Sequence, residues 1–234
     1  MYKYRIGIDA LDTKTGGITP GTNILILAPA FSDGEELATY FARPQEGEYM
    51  IVLSTERQVN DLEEFFTINN YNVNHIGIID AITKSSSGSI SDSQKRKYVG
   101  SPNDLTGMDI KFSQLTEDIM KGAFADDPNQ VFPTPIRYCI LSLTTLLMFR
   151  KVDVIYQFLH VISSKLKKTG SIGIYLLNVE SFDEKTIAII KQLMNIVVEI
   201  RNDEEGNSLR MRGAMGLSMN WQPFSFEDGN LILR

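Results

Sequence analysis

The 234-residue sequence has one cysteine, two histidines and one tryptophan. A single thiol excludes an internal disulfide, and with only two imidazoles beside it a Cys/His zinc centre is not expected. No apolar run reaches the roughly 18–20 residues that a membrane-spanning helix needs. No charged n-region followed by an apolar h-region opens the sequence either. The expectation is a protein of the cytoplasm with no membrane partner. Basic residues are also scarce, with 23 Lys+Arg against 29 Asp+Glu and a formal net charge of −6. Sequence-independent nucleic-acid binding relies on Lys and Arg neutralising phosphates, so nucleic acid is not an expected partner. No internal repeat shows at periods of roughly 20–50 residues, which excludes solenoids and propellers.

What is present is ordinary globular composition, 43% hydrophobic and 22% charged, at a length that suits one domain over residues 1–234. Short apolar runs alternate with longer amphipathic stretches, the pattern of a mainly parallel α/β sheet with helices on both faces. The runs Asn23–Leu27, Met50–Ser54, His75–Asp80, Tyr138–Leu141 and Ile172–Leu177 are apolar almost throughout, as expected of strands covered on both sides. Ile196–Arg201 and Leu209–Arg212 flank the turn cluster Asp203–Asn207 and read as a C-terminal antiparallel hairpin at one sheet edge. Helical spacing places helices at Glu35–Arg43, Gln58–Ile68, Asp153–Lys168 and Ser181–Met194, the last with Ser181 and Glu184 as a capping box. A polar insertion at about 84–135 holds the Ser-rich stretch Ser85–Ser93, the basic triplet Lys95-Arg96-Lys97 and an amphipathic piece from about Asp109 to Met120. It reads as a surface loop with one packing helix, or as a binding lid or partner-docking segment.

The most informative stretch is Gly7–Ala42, GIDALDTKTGGITPGTNILILAPAFSDGEELATYFA. Gly7, Ile8, Leu11, Asp12, Gly16, Gly17, Ile18, Pro20 and Gly21 precede an apolar strand, a turn and a helix. This resembles the opening of the RecA-like domain in the KaiC/RadA group of P-loop ATPases. The resemblance implies a RecA-like P-loop NTPase fold over Gly7 to about Ser218, with Asn23–Leu27 central in the sheet. Ser101–Phe112 is similar to a stretch in a divergent archaeal KaiC-like branch that lacks intact Walker motifs.

A working phosphate loop reads GxxxxGK[ST]: glycines let backbone N–H groups wrap the phosphates, a Lys meets the β/γ oxygens and a hydroxyl meets magnesium. Ala28–Glu36 reads APAFSDGEE. Ungapped, Gly34 falls at the Lys position and Glu35 at the Ser/Thr position. Slipped by one, Glu35 replaces the Lys and Glu36 the Ser/Thr. Neither register supplies the lysine, and no Lys occurs between Lys14 and Lys84. From Thr15 to Thr83 ten carboxylates face two arginines. Two like charges about 5 Å apart repel by roughly 3 kcal/mol at an effective dielectric near 20. Glu35 and Glu36 would therefore erase most of a micromolar affinity, about 8 kcal/mol. Asp33-Gly34-Glu35-Glu36 reads as a D-x-x-E capping box in which Asp33 takes the helix amides a phosphate would otherwise occupy.

Other family positions follow by resemblance. Arg137–Thr144, RYCILSLT, matches the Walker B strand with Leu141 where the magnesium-binding Asp stands, and an apolar side chain cannot hold the water shell of Mg²⁺. Cys139 within that strand reads as a buried thiol. Leu53–Arg57, LSTER, resembles the segment carrying the water-activating glutamate, here Glu56. Leu209–Gly213, LRMRG, resembles the strand whose basic residues, here Arg210 and Arg212, reach a nucleotide in a neighbouring subunit. Alternation on an edge strand accounts for the two arginines equally well. Trp221, Phe224 and Phe226 read either as a docking patch or as the seat of a C-terminal strand.

The expected function is a catalytically inactive KaiC/RecA-like domain, a pseudo-ATPase with no cofactor and no tight ATP or Mg²⁺ site. It would regulate or assemble through a protein partner or self-association. The alternatives are a divergent nucleotide or small-ligand binder, or a recombination accessory protein of the RadA-paralogue type.

Overall fold

A computed structural model describes residues 2–8, 12–13, 16–87, 90–124, 133–213 and 217–234. Leu11 of the opening motif and most of the proline-rich end of the insertion lie outside them. The strands are β1 (Asn23–Ala28), β2 (Tyr49–Ser54), β3 (Ile76–Asp80), β4 (Arg96–Tyr98), β5 (Ile136–Leu141), β6 (Ile172–Asn178), β7 (Ile196–Asp203), β8 (Gly206–Gly213), β9 (Ser218–Glu227) and β10 (Asn230–Leu233). The helices are α1 (Gly34–Ala42), α2 (Val59–Ile68), α3 (Thr83–Ser87), α4 (Leu105–Met120), α5 (Leu143–Phe149), α6 (Val152–Thr169) and α7 (Glu184–Lys191).

All ten strands form one sheet in the order β10-β9-β8-β7-β1-β6-β5-β2-β3-β4. Pairing is parallel from β7 to β4 and antiparallel from β7 to β10. β1 lies inside the sheet between β7 and β6, as the sequence predicts. Successive residues of the apolar strands serve opposite cores, as period-2 geometry requires. Ile24, Ile26, Met50, Val52 and Cys139 pack with Leu37 and Phe41 of α1 and Leu62 and Phe66 of α2. Leu25, Leu27, Ile51, Leu53 and Ile140 pack with α4, α5 and α6 on the other face. Burial on both sides is why these runs show no polar alternation.

Four expectations need correction. The hairpin is not the sheet edge, because β9 pairs with β8 and β10 with β9. Arg210 and Arg212 therefore alternate on an interior strand, and the mixed polar and apolar sequence of β9 hides its strand character from a count of apolar residues. The insertion contributes to the sheet, since the basic triplet supplies β4, parallel to β3. Its helix starts earlier than expected, at Leu105, because Asp104 accepts the Gly107 amide and caps it. For α7 the cap is Asp183, whose carboxylate accepts the Thr186 amide, and Ser181 sits in a 3-10 turn before it.

One charge pair is enclosed near the N-terminal ends of β2 and β5. Arg137 is 0% and Glu48 1% exposed. Arg137 Nε and Nη2 donate to the Glu48 carboxylate at 2.5 and 3.0 Å, Nη1 to Phe41 O at 2.9 Å and Nη2 to Arg5 O at 2.7 Å. Tyr2 Oη and the Gln45 amide donate to Glu48 at 2.6 and 2.9 Å. The Tyr4 hydroxyl donates to Gly170 O at 2.8 Å and accepts the Ile136 amide at 3.1 Å. Removing one partner of such a pair leaves an uncompensated buried charge. Arg137→Met should lower unfolding free energy by about 3–5 kcal/mol. In urea titrations Arg137→Met with Glu48→Leu should lose less than the sum of the two single changes.

Candidate functional site

The parallel strands deliver their C-terminal ends to one side of the sheet, where open α/β folds place their sites. A cleft of about 250 Å³ opens there. Ala28 and the Pro29–Ser32 turn form one wall; Glu56, Ser142, Thr144 and Asn178 form the other, with Gly34 and Glu35 at the start of α1. The turn is tight because Gly34 packs against the end of β1. A Cβ at Gly34 would lie 2.4 Å from Ala28 Cβ, a contact neither backbone can relieve by rotating a side chain. Opposite, Ser142 takes a left-handed backbone (φ 81°) and accepts the Thr145 amide at 3.3 Å, turning β5 directly into α5. Thr144 Oγ1 accepts the Asn178 amide at 2.9 Å and ties the end of β6 to α5.

The expected capping box does not form. Asp33 is the N-cap of α1 but makes no side-chain bond to the helix amides. Its Oδ2 instead accepts Asn207 Nδ2 at 2.7 Å, so β8, which the sequence placed at a distance, draws the carboxylate away. A different acid serves the turn. Glu180 Oε2 accepts the Ala30 amide at 3.0 Å, and Asn202 Nδ2 donates to Phe31 O at 3.4 Å. Phe31 is fully exposed with a φ of 59°, a conformation that costs a non-glycine residue energy and persists only where neighbours hold it.

Among the predicted positions, Gly34, Glu35 and Glu56 meet in the cleft. Glu35 pairs with Arg57 at 3.0 Å, and both side chains are about 40% exposed, so the pair contributes little to stability. Glu56 accepts the Thr145 hydroxyl. Leu141 does not line the cleft either: it is buried in the core at the end of β5. Glu36 does not line the cleft, and burial, with the Asp33 charge behind it, raises its carboxyl pKa. Arg210 and Arg212 lie elsewhere, on the face of β8 opposite the core residues Leu209 and Met211. Arg210 bonds Glu199, and its guanidinium carbon is 4.7 Å from the Trp221 ring centroid. Phe224 is buried and Phe226 packs on Tyr40 with ring centroids 5.9 Å apart, so these two seat β9. Burial pushes the Cys139 thiol pKa up, and it has no access to solvent.

Sequence reasoning missed Glu180, Asn207 and Arg201. No local spacing marks them, because each reaches its partner across 150 residues of chain or more, or over an intervening strand. Among the described residues no group of three His, Cys, Asp or Glu side chains could hold a metal ion, and no helix is long and apolar enough to cross a membrane.

The strand order and the cleft at the parallel strand ends give the chain the RecA-like fold of solved KaiC-like proteins. A KaiC-like protein from the hyperthermophilic archaeon Pyrococcus horikoshii OT3 superposes with a TM-score of 0.68 at 15% identity, over 100% of this chain and 99% of its own. An uncharacterized protein from Pyrococcus horikoshii, solved in complex with an unknown peptide, gives 0.72 at 16% identity over 99% and 98%. The chain belongs to a family of unknown function, DUF7504, whose family model matches residues 21–200. No curated protein matches the sequence.

The approach of Gly34 to Ala28 sets a test. Gly34→Ala should cost about 1–3 kcal/mol by overpacking, while Glu35→Ala, at a half-exposed neighbouring position, should cost under about 1 kcal/mol. Thermal melts of the two variants compare them directly.

Proposed function

We propose that this protein is a catalytically inactive member of the KaiC/RecA-like fold, a pseudo-ATPase of the cytoplasm. It acts as a regulatory or assembly component through contacts with a protein partner or with further copies of itself. The observation that carries this reading is the Glu180 carboxylate on the Ala30 amide: a donor of the turn that would cradle a phosphate already holds an internal anion. The rest of the lining fits a nucleotide triphosphate no better. Glu35 and Glu56 put two carboxylates into the cleft, no lysine lies in the turn, and β5 ends on Leu141, buried in the core, with no carboxylate at that position to hold a metal ion. These features match the degenerate Walker motifs of the divergent archaeal KaiC-like branch that Ser101–Phe112 resembles. With these residues the cleft is not a site for ATP, Mg²⁺ or another cofactor.

Two features support protein contact. Phe31 presents an uncovered aromatic ring at the rim of the cleft, held there by Asn202 and a left-handed backbone. Large exposed apolar side chains on rigid turns are anchors of interfaces. One solved protein of the same fold was found with an unknown peptide. The net charge of −6 argues against nucleic acid as the partner.

Isothermal titration with ADP and a magnesium-dependent ATP-turnover assay test the inactive reading. The wild-type protein should show no micromolar ADP binding and no turnover above a boiled control. Glu35→Lys with Glu36→Thr reverses the charge of one lining residue and removes the half-buried carboxylate next to it, and should gain measurable ADP affinity, while the exposed Arg57 pair gives way to a like-charge contact of similarly small size. Micromolar binding by the wild type, or no gain in the double variant, would refute the electrostatic account of the cleft.

A further inference from the structure

A second cavity, of about 570 Å³, lies apart from the cleft between α7 and the face of β7, β8 and β9 that carries Trp221. Its volume falls within the range of about 300–1,000 Å³ common to small-molecule sites. Leu27, Val179 and Ile187 give it an apolar lining, the indole of Trp221 forms a wall, and its rim carries Lys191, Arg201 and Arg210 against Glu184 and Glu199.

The charges at that rim are unevenly satisfied. Glu199 is shared by Arg210 and by Lys191, whose amine lies 3.6 Å away. Burial opposes ionisation there, yet the bond from Arg210 and the charge of both cations hold the Glu199 carboxyl below its usual range. Arg201 places its Nε 3.4 Å from Asp203. Both guanidinium carbons sit against the indole, at 4.8 and 4.7 Å from its centroid, which fixes their planes. Each arginine thus uses Nε on a carboxylate, and the terminal NH₂ groups have no hydrogen-bond partner among the described residues. Guanidinium NH₂ groups beside an apolar hollow are complementary to a carboxylate carried on an apolar body, since a carboxylate accepts two parallel N–H bonds from an arginine.

We propose that this cavity binds an organic acid, with its carboxylate at Arg201 and Arg210 and its apolar portion against Leu27, Val179 and Ile187. Neither the cleft nor the partner of the preceding section is needed for it. The same head group could arrive free or at the C-terminus of a peptide, and the two sources are separable.

Trp221 is the only tryptophan of the chain beside nine tyrosines, so fluorescence excited selectively at the indole reports on this cavity. Decanoate, kept below its micellar concentration, should change the emission saturably, while decanol and inorganic phosphate at equal concentration should not. Acetyl-Leu-Leu with a free C-terminal carboxylate is the peptide arm, and the tighter of the two acids names the source. Arg201→Gln with Arg210→Gln should weaken binding about tenfold or more, the equivalent of one charge-assisted bond. Ala188→Phe, at an exposed position of α7 on the cavity lining, should block binding without touching a charge and with the melting curve unchanged. The proposal is overturned if neither acid gives a saturable response, if decanol matches decanoate, or if both variants bind as the wild type does.

Discussion

The arrangement depends first on a buried charge pair. Arg137 cannot lie in an apolar strand between two sheet neighbours unless every part of its guanidinium is matched, and the fold converges on that requirement. Glu48 supplies the charge, Phe41 and Arg5 supply carbonyls, and Tyr2 and Gln45 satisfy what remains of Glu48. Three chain segments, residues 2–5, residues 41–48 and β5, are thereby drawn to the N-terminal ends of the central strands. The N-terminal segment is held further by the Tyr4–Ile18 bridge, which Gly17 permits: its φ of 87° and the 3.1 Å approach of Tyr4 O to a would-be Cβ leave no room for a side chain. With one end of the sheet closed this way, the opposite end is left for loops.

At that opposite end, carboxylates govern the local geometry. Asp80 is fully buried and accepts the Val59, Ile82 and Thr83 amides at 3.0, 2.8 and 2.8 Å, joining the end of β3 to the start of α2. Back in the N-terminal segment that reaches Arg137, Asp12 accepts the Ile6 and Gly7 amides at 3.0 and 2.9 Å, which gives the Asp of the opening motif a folding role of its own. Glu180 does the same for Ala30. Backbone amides that face the strand ends need acceptors, and in this chain side-chain carboxylates take several of those places. Asp33 shows how such a group is diverted, since it takes the side-chain amide of Asn207 on β8 and makes no bond to the first amides of α1.

The antiparallel extension links the two candidate sites. β7 carries Asn202, which holds Phe31 at the cleft, and Arg201 next to it, which turns to Trp221 on the other side of the strand. Neighbours on a strand point to opposite faces, so one strand end positions both an exposed aromatic ring and a cationic rim.

The apolar runs alone determined the central parallel sheet, because a strand covered on both faces needs an unbroken apolar sequence and little else gives that pattern at such short lengths. The spacing of apolar residues likewise set α1, α2 and α6 within a residue or two, and the Gly7–Gly21 approach was readable because glycines and an Asp mark its turns. The same reading left β4, β9 and β10 out, since strands that are short or half-exposed carry ordinary polar residues and are strands only by virtue of the partner beside them. Glu35 and Glu56 could be read as cleft residues from their positions after β1 and β2. Only the tertiary structure decided that Asp33 serves β8 instead of its helix, that Glu180 meets the turn, and that Arg201, Arg210 and Trp221 share a cavity. Hydrogen bonds and ion pairs are made between whichever groups the fold brings within about 3 Å, and that proximity is a property of packed layers, not of spacing along the chain.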